Sequence, residues 1–235
     1  SVLLPVSVNI DGFVISHSME RVDILDDDLV SGYLSTRKPL ITIDPDKPIT
    51  VGALCLPDYY FEIKQQQIEA IDNSLKVIEK IKREFEGLSG RNYDVLESYG
   101  IEDAEAALIC MGSTAGTAKT VAKKLRNEGH RVGVIKLSVY RPFPTREILD
   151  ATNGLKAVAV LDRACSFGAP YGALCSDLLS VMPGEEEQPR IFNRIYGLGG
   201  RDITPHEIES IFSEALEVAR TGTVQGYART IGVRE

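Results

Sequence analysis

Residues 104–144 read AEAALICMGSTAGTAKTVAKKLRNEGHRVGVIKLSVYRPFP. The apolar run from Ala106 to Met111 ends in Gly112, Ser113 and Thr114. A helical pattern then runs from Thr117 to Glu128, with Val121 and Leu125 on one face, and stops at Gly129. A second apolar run, Val132 to Val139, follows. Short, continuously apolar runs on either side of an amphipathic helix are the pattern of a βαβ unit whose strands are buried on both faces. Such units form right-handed crossovers between parallel strands.

The sequence downstream repeats the alternation. A helix is expected from Pro144 to Ala151, with proline in its first turn. Strands are expected at Lys156–Leu161 and Arg190–Tyr196, and a helix at Tyr171–Met182. The charged turn Gly184–Glu187 reads as solvated. Thr204-Pro205-His206-Glu207 is a capping box with proline at the first helical position. It opens a helix to Arg220 with Ile208, Ile211, Phe212 and Leu216 inward. The fold class is therefore α/β: a mostly parallel open sheet with helices on both faces. The tail from Gly222 onward has little pattern.

Upstream, Pro5 to Ile10 alternates like a strand, and a short helix fits Asp27 to Leu34. Residues 37–57 carry Pro39, Pro45, Pro48 and Pro57, which favours turns and extended segments. Asp58 to Phe85 reads as one long helix, with Ile68, Ile71, Leu75, Ile78 and Phe85 at helical spacing and Gly87 and Gly90 ending it. Its single apolar stripe needs a partner surface, in its own domain or elsewhere. A linker and a long helix thus precede the α/β domain.

The 235 residues are 43% hydrophobic, enough for a substantial core, and carry a formal net charge of −8. That charge argues against general nucleic-acid binding, which needs clustered Lys and Arg. No apolar run approaches the ~20 residues that span a bilayer. Cys55, Cys110, Cys165 and Cys175 form no CxxC. The spacing suits reduced thiols in a cytoplasm, and disfavours a disulfide frame, a zinc site or an iron–sulfur cluster within this polypeptide. The beginning, Ser1 to Val8, resembles neither a signal peptide nor a start site, so a fragment or processed product is expected.

Three loops attract chemistry. Gly112 to Thr120 suggests a phosphate cradle, but Gly112 and Gly116 are one residue too close for a Walker A loop and Lys119 follows Ala118. An anion can still sit at such a helix N-terminus, with Ser113, Thr114 and Thr117 as candidates. The alternative is a glycine-eased turn capped by Ser113 or Thr114. Gly197 to Asp202 follows the last strand. Arg201 there either grips an anion as a fork or forms a turn with Asp202 that pins subunits or domains together. Both loops are expected on one side of the sheet, beyond the strands' carboxyl ends. The third, Asp162-Arg163 with Ser166-Phe167-Gly168, lies on the same edge; with no GxSxG, a hydrolase elbow is disfavoured. His17, His130 and His206 form no metal-ligand pair. His17, after Asp11-Gly12, is the hardest of the three to set aside.

Taken in order, Pro5–His17, Gly112–Thr117, Arg141-Pro142-Phe143-Pro144, Val160–Arg163 with Ser166–Gly168, and Tyr196–Asp202 resemble the alpha subunit of 2-oxoacid:ferredoxin oxidoreductases, most closely the pyruvate:ferredoxin oxidoreductase (pyruvate synthase) family. The resemblance covers nearly the whole sequence. It implies cleavage of a 2-oxoacid with coenzyme A to an acyl-CoA and carbon dioxide, with reduction of ferredoxin, or the reverse. It implies thiamine diphosphate, Mg and iron–sulfur clusters in the full complex, with none bound by this fragment. The implied partners are beta, gamma and delta subunits or their fused equivalents, and ferredoxin through the complex, in a hetero-oligomer without nucleic acid or membrane. The implied layout is the end of a thiamine-enzyme-like domain I (1–35), linker and long helix (36–103), a transketolase C-terminal-like domain II (104–222) and a tail (223–235). The family's thiamine signature, GDG followed by Asn, is absent here. The family's substrate-contacting Thr and Arg lie upstream of the segment matched. No catalytic residue and no metal ligand is therefore carried over, and a structural, interface-building role is expected.

Two other readings stand beside this one. One is a freestanding α/β module binding a phosphate-bearing ligand at the Ser113 and Gly197–Asp202 loops. The other is the C-terminal domain of the beta subunit of another thiamine enzyme, against which the DGFxxSH and YGLGGRD stretches speak.

Overall fold

The computed structural model describes residues 2–12, 14–34, 41–52, 54–182 and 188–234. The chain divides into two compact units, Ser1–Tyr93 and Asp94–Glu235.

The first unit is helical among its described residues. Helix α1 spans Val14–His17 and α2 spans Asp27–Tyr33. Asp26 caps α2 by accepting from the Asp28 amide at 2.9 Å. Helix α3 runs Pro57–Ser89, with proline in its first turn and Gly90 left-handed at its C-cap (φ 67°). It passes through Gly87, expected as a stop. Glycine inside a helix costs only about 1 kcal/mol, whereas Gly90 supplies the positive φ that ends one. No residue of α3 is fully buried. Its stripe is half-covered at Ile71, Leu75, Ile78 and Phe85 and exposed at Ile68. Tyr33 donates to Glu84 at 2.9 Å, and the Phe85 and Tyr93 rings lie 5.9 Å apart. The strand expected at Pro5–Ile10 is not formed. Val6, Val8 and Ile10 alternate correctly but stay exposed, and a strand forms only where a neighbour satisfies its amides and carbonyls.

Among its described residues the second unit holds a six-stranded sheet ordered β1-β3-β2-β4-β5-β6. The strands are β1 Leu96–Tyr99, β2 Ala106–Met111, β3 Val132–Leu137, β4 Ala157–Asp162, β5 Arg190–Ile195 and β6 Ala228–Thr230. Among these six only β1 is antiparallel, pairing β3 at Leu96↔Leu137. The helices are α4 Thr114–Asn127, α5 Thr145–Thr152, α6 Ala173–Val181 and α7 Pro205–Thr221. Pro144 is the N-cap of α5 rather than its first residue. The turn at 184–187 lies outside the described residues.

Alternate side chains of β2 face opposite ways, as the pleat requires. Ala106, Leu108 and Cys110 join α4 and α7 in one core layer, while Ala107 and Ile109 join α5 and α6 in the other. Both layers are closed, which is why the central strands read as unbroken apolar runs. The expected βαβ unit is present, with β2 and β3 parallel in the register Leu108↔Val134. The Thr204–Glu207 capping box forms reciprocally at α7, with Ile208, Ile211 and Phe212 buried and Leu216 packed beside them.

Two strands escaped the sequence reading. Both are edge strands with little burial: β1 (LESY) is half-polar and β6 (ART) has three residues. At the amino edge, Glu105 accepts from Lys156 at 3.1 Å and pairs with Arg131, tying together the entrances of β2, β3 and β4.

Candidate functional site

Strand β2 is flanked by β3 and β4, so the polypeptide leaves it in one direction and returns on the other side. Helix α4 follows β2 on one face of the sheet, and α6 follows β4 on the opposite face. Such a reversal opens a crevice beyond the carboxyl ends of the strands, where open α/β sheets take their ligands. Gly112–Thr117, Asp162–Gly168 and Tyr196–Asp202 follow β2, β4 and β5 there. The expectation that the Ser113 and Arg201 loops share this edge is met: Thr114 Oγ1 lies 2.6 Å from Tyr196 Oη, and both residues are buried.

The candidate residues have diverged in role. Thr114 is the first residue of α4, and its hydroxyl is committed to Tyr196. Ser113 occupies the N-cap but in helical conformation (φ −65°, ψ −25°), without a capping bond from its side chain. The turn closes instead through backbone, Gly116 N donating to Ser113 O at 3.0 Å, with Gly112 at φ 66°. Thr117 is half-buried one turn on. Lys119, which a phosphate loop would aim at its ligand, lies 5.3 Å from the Tyr99 ring centroid. Arg201 donates to the carbonyl of Gly232. It pins the tail of its own unit.

Asp162, the end of β4, is a helix cap. Its carboxylate is 2% exposed and accepts from the Leu174 and Cys175 amides at 2.9 and 3.1 Å, at the N-terminus of α6. Two of the helix's otherwise unpaired donors are thereby satisfied, with negative charge at the positive end of the dipole. Asn193 completes the knot, donating to Asp162 Oδ2 and to Val160 O at 2.9 Å and accepting from Gly172 N at 2.8 Å. A Cβ on Gly172 would stand 2.4 Å from Asp162 Cγ, so glycine is required. Arg163 crosses the ring of Tyr196, its guanidinium carbon 5.9 Å from the centroid.

Arg194, 1% exposed, turns to the other face. It donates through Nε to Glu214 at 2.9 Å, pairs with Glu214 again through its terminal nitrogen, and donates to Asn193 O at 2.7 Å. At the end of β3, Tyr140 and Arg141 both donate to Asp177, at 2.5 and 2.7 Å, while Arg141 stacks 4.0 Å from the Tyr140 ring centre. Burial, then the Asp177 bond, pushes the Tyr140 hydroxyl up to about 12. The sequence reading missed these networks. The available signal was Asn193-Arg194 in the middle of an apolar strand, since a buried polar side chain must find partners.

Burial pushes the Cys110 and Cys175 thiols up to about 12, which leaves them inert as nucleophiles or ligands at neutral pH. None of the four cysteines is in a disulfide. His17, with Ser16 Oγ 2.7 Å from its Nδ1, belongs to the first unit, whereas His130 and His206 are exposed in the second. Among the described residues no three His, Cys, Asp or Glu side chains converge as a metal site would need. A cavity of about 70 Å³ lies between Tyr196, Gly197, Arg201 and the tail residues Ile231 and Gly232. Ligand pockets run to several hundred Å³, so this one suits water. The arrangement can hold an edge of the domain rigid and present it. No helix among the described residues is long and apolar enough to cross a membrane.

Two family models match the chain. The pyruvate:ferredoxin oxidoreductase core domain II covers residues 104–208. The pyruvate flavodoxin/ferredoxin oxidoreductase thiamine-diphosphate-binding domain covers residues 1–83. The pyruvate synthase subunit PorA of Thermotoga maritima is 44% identical over all of this chain and 59% of its own length. PorA of Pyrococcus abyssi is 39% identical, again over all of this chain and 59% of its own. The ketoisovalerate oxidoreductase subunit VorA of Pyrococcus abyssi is 36% identical over 94% of this chain and 56% of its own. The chain thus spans less than two thirds of the length of these relatives. A solved 2-oxoglutarate:ferredoxin oxidoreductase from Magnetococcus marinus, with 2-oxoglutarate, coenzyme A and succinyl-CoA bound, shares the fold. It has a TM-score of 0.50 and 19% identity, over 68% of this chain and 24% of that one.

Proposed function

We propose that this protein, which belongs to the pyruvate:ferredoxin oxidoreductase family, is part of the alpha subunit of a complex that converts pyruvate and coenzyme A to acetyl-CoA and carbon dioxide. The two electrons released pass to ferredoxin, or the reaction runs in reverse. The observation that carries this reading is the 44% identity to a pyruvate synthase subunit along the whole chain. The same reading places the working complex in the cytoplasm, and the reduced, buried thiols of Cys110 and Cys175 suit that compartment.

Thiamine diphosphate, when bound, supplies the electron sink for decarboxylation. Its diphosphate is ordinarily held through a divalent cation, which takes carboxylate and carbonyl oxygens. Among the described residues no three His, Cys, Asp or Glu side chains converge. The GDG signature that marks the metal–diphosphate half of the site in the family is absent from these 235 residues. We assign that half, Mg and the iron–sulfur clusters to partner subunits of beta, gamma and delta type.

What those residues do is mechanical. The Asp162–Asn193–Gly172 knot and the Thr114–Tyr196 bond fix three loops at one edge of the sheet, and the Glu105 cluster fixes the other. A rigid edge of this kind builds a subunit interface and supports an active site elsewhere.

The substrate is tested with the full-length protein in its assembled complex, comparing pyruvate with ketoisovalerate as donors for coenzyme A-dependent reduction of a viologen dye. Preference for pyruvate supports the reading. Preference for ketoisovalerate moves the protein to the company of VorA, and activity with neither overturns the function.

A further inference from the structure

We infer that the tail from Gly226 to Val233 is a strap that locks the glycine loop Gly197–Arg201, with Arg201 as its latch. The loop has little stiffness of its own. Gly197, Gly199 and Gly200 all sit at positive φ (65°, 70° and 85°), where glycine is permissive. It closes on itself through a backbone contact, Gly200 N to Gly197 O at 3.1 Å. Leu198 is half-exposed and Arg201 is exposed.

The strap crosses this loop and is fastened at both ends. At its start, the buried Arg194 guanidinium donates to Gly226 O at 3.2 Å, and Asn193 N donates to Tyr227 O at 2.7 Å. In its middle, β6 pairs in parallel with β5, and Ile231 N donates to Ile195 O at 2.8 Å. At its far end the Arg201 guanidinium reaches out of the loop to Gly232 O. A Cβ on Gly232 would meet Glu207 Oε1 at 3.0 Å and Arg201 Cδ at 3.7 Å, so the strap is drawn in tightly there. The small cavity beneath is bounded by loop on one side and by Thr230 to Val233 on the other.

Loop and strap therefore hold each other. No apolar side chain of Gly197–Arg201 or Gly226–Val233 is fully buried. The Arg201 tie between them is charged at the donor end, the stronger kind of hydrogen bond. Because the loop begins directly after Tyr196, whose hydroxyl meets Thr114, the strap also backs the contact between β5 and the start of α4. Release of the latch frees the loop without unravelling the sheet, since β5 keeps its full pairing with β4 from Ala157↔Arg190 to Asp162↔Ile195.

The test is amide hydrogen exchange on the full-length protein in its complex, comparing wild type with Arg201→Ala and Arg201→Lys. For Arg201→Ala the expected result is about tenfold or faster exchange confined to 197–202 and 230–233, with β4 and β5 at wild-type rates. Arg201→Lys, which keeps a charged donor but not the planar fork, is expected between the two. Wild-type exchange in both segments of Arg201→Ala overturns the latch. So does a uniform rise across the whole unit, which would make Arg201 an ordinary stabilising residue. If Arg201→Ala fails to fold, that too counts against a local latch, and Arg201→Lys alone must then show the confined rise for the strap to stand.

Discussion

The hydroxyls of Thr114 and Tyr196 share a buried hydrogen bond of 2.6 Å although 82 residues separate them. It joins the start of α4 to the end of β5, across the point where the sheet reverses its order. Removing either hydroxyl alone takes this buried partner away from the other, which costs about 1–3 kcal/mol. Thr114→Val and Tyr196→Phe are each expected to lower stability by that order in denaturant unfolding. The double variant is expected to cost clearly less than the sum, because it removes both polar groups together. Strict additivity would show that the bond contributes nothing.

The Asp162 knot makes a sharper forecast. Asp162→Asn keeps the shape but puts an NH₂ among the Leu174, Cys175 and Asn193 donors. A loss of about 2 kcal/mol is expected, with early fraying of α6 visible in hydrogen exchange. Gly172→Ala drives a methyl into the same carboxylate and should be at least as damaging. A neutral Gly172→Ala would mean that the α6 entrance can shift freely.

Acid should loosen the amino edge of the sheet. Hydrogen bonds from Lys156 and Arg131 hold the Glu105 carboxyl below its ordinary value of 4.5, and Arg126 does the same for Asp103 below 3.8. A carboxyl depressed in the folded state contributes stability that is fully present above its unfolded value and lost as pH falls through the folded one. Stability is therefore expected to hold from neutral pH down to about 4.5 and decline below it. Both carboxyls are solvent-accessible, so the effect is screened and modest. Glu105→Gln should flatten the decline in pH-dependent unfolding, and an unchanged profile would exclude Glu105 from it.

Thiol chemistry gives an independent check on the core. Cys110 and Cys175 are buried with thiols pushed up to about 12. At about pH 8 an alkylating reagent followed by mass spectrometry should leave both unmodified in the native protein and label them only after denaturation. Rapid native labelling of either would contradict the packing of β2 or α6.

The parts legible in the sequence are those where one physical signal dominates. The strands at Ala106–Met111 and Ala157–Asp162 are buried on both faces, so composition alone marks them. The Thr204–Glu207 box declares its helix through reciprocal hydrogen bonds. Strands β1 and β6 were not legible because their stability comes from neighbours, Leu137 and Ile195 among them, rather than from their own residues. The same fact explains Val6–Ile10, which has the alternation without the neighbour. At the candidate edge, the convergence of the Ser113 and Arg201 loops was legible from topology. Their partners were not: nothing near Thr114 in sequence points to Tyr196, and nothing near Arg201 points to Gly232. Asp162 looked like a candidate for chemistry because a carboxylate at a strand end is ambiguous until the helix it caps is seen.

If the protein works as part of an oxidoreductase alpha subunit, its activity belongs to an assembly. The most direct measurement is pyruvate- and coenzyme A-dependent reduction of ferredoxin by the complex formed when the full-length protein is co-expressed with its neighbouring subunits, with the 235-residue chain alone as control. Turnover is predicted from the complex and none from the control. A full-length protein that recruits no thiamine- or cluster-bearing partner and shows no such turnover would contradict this account.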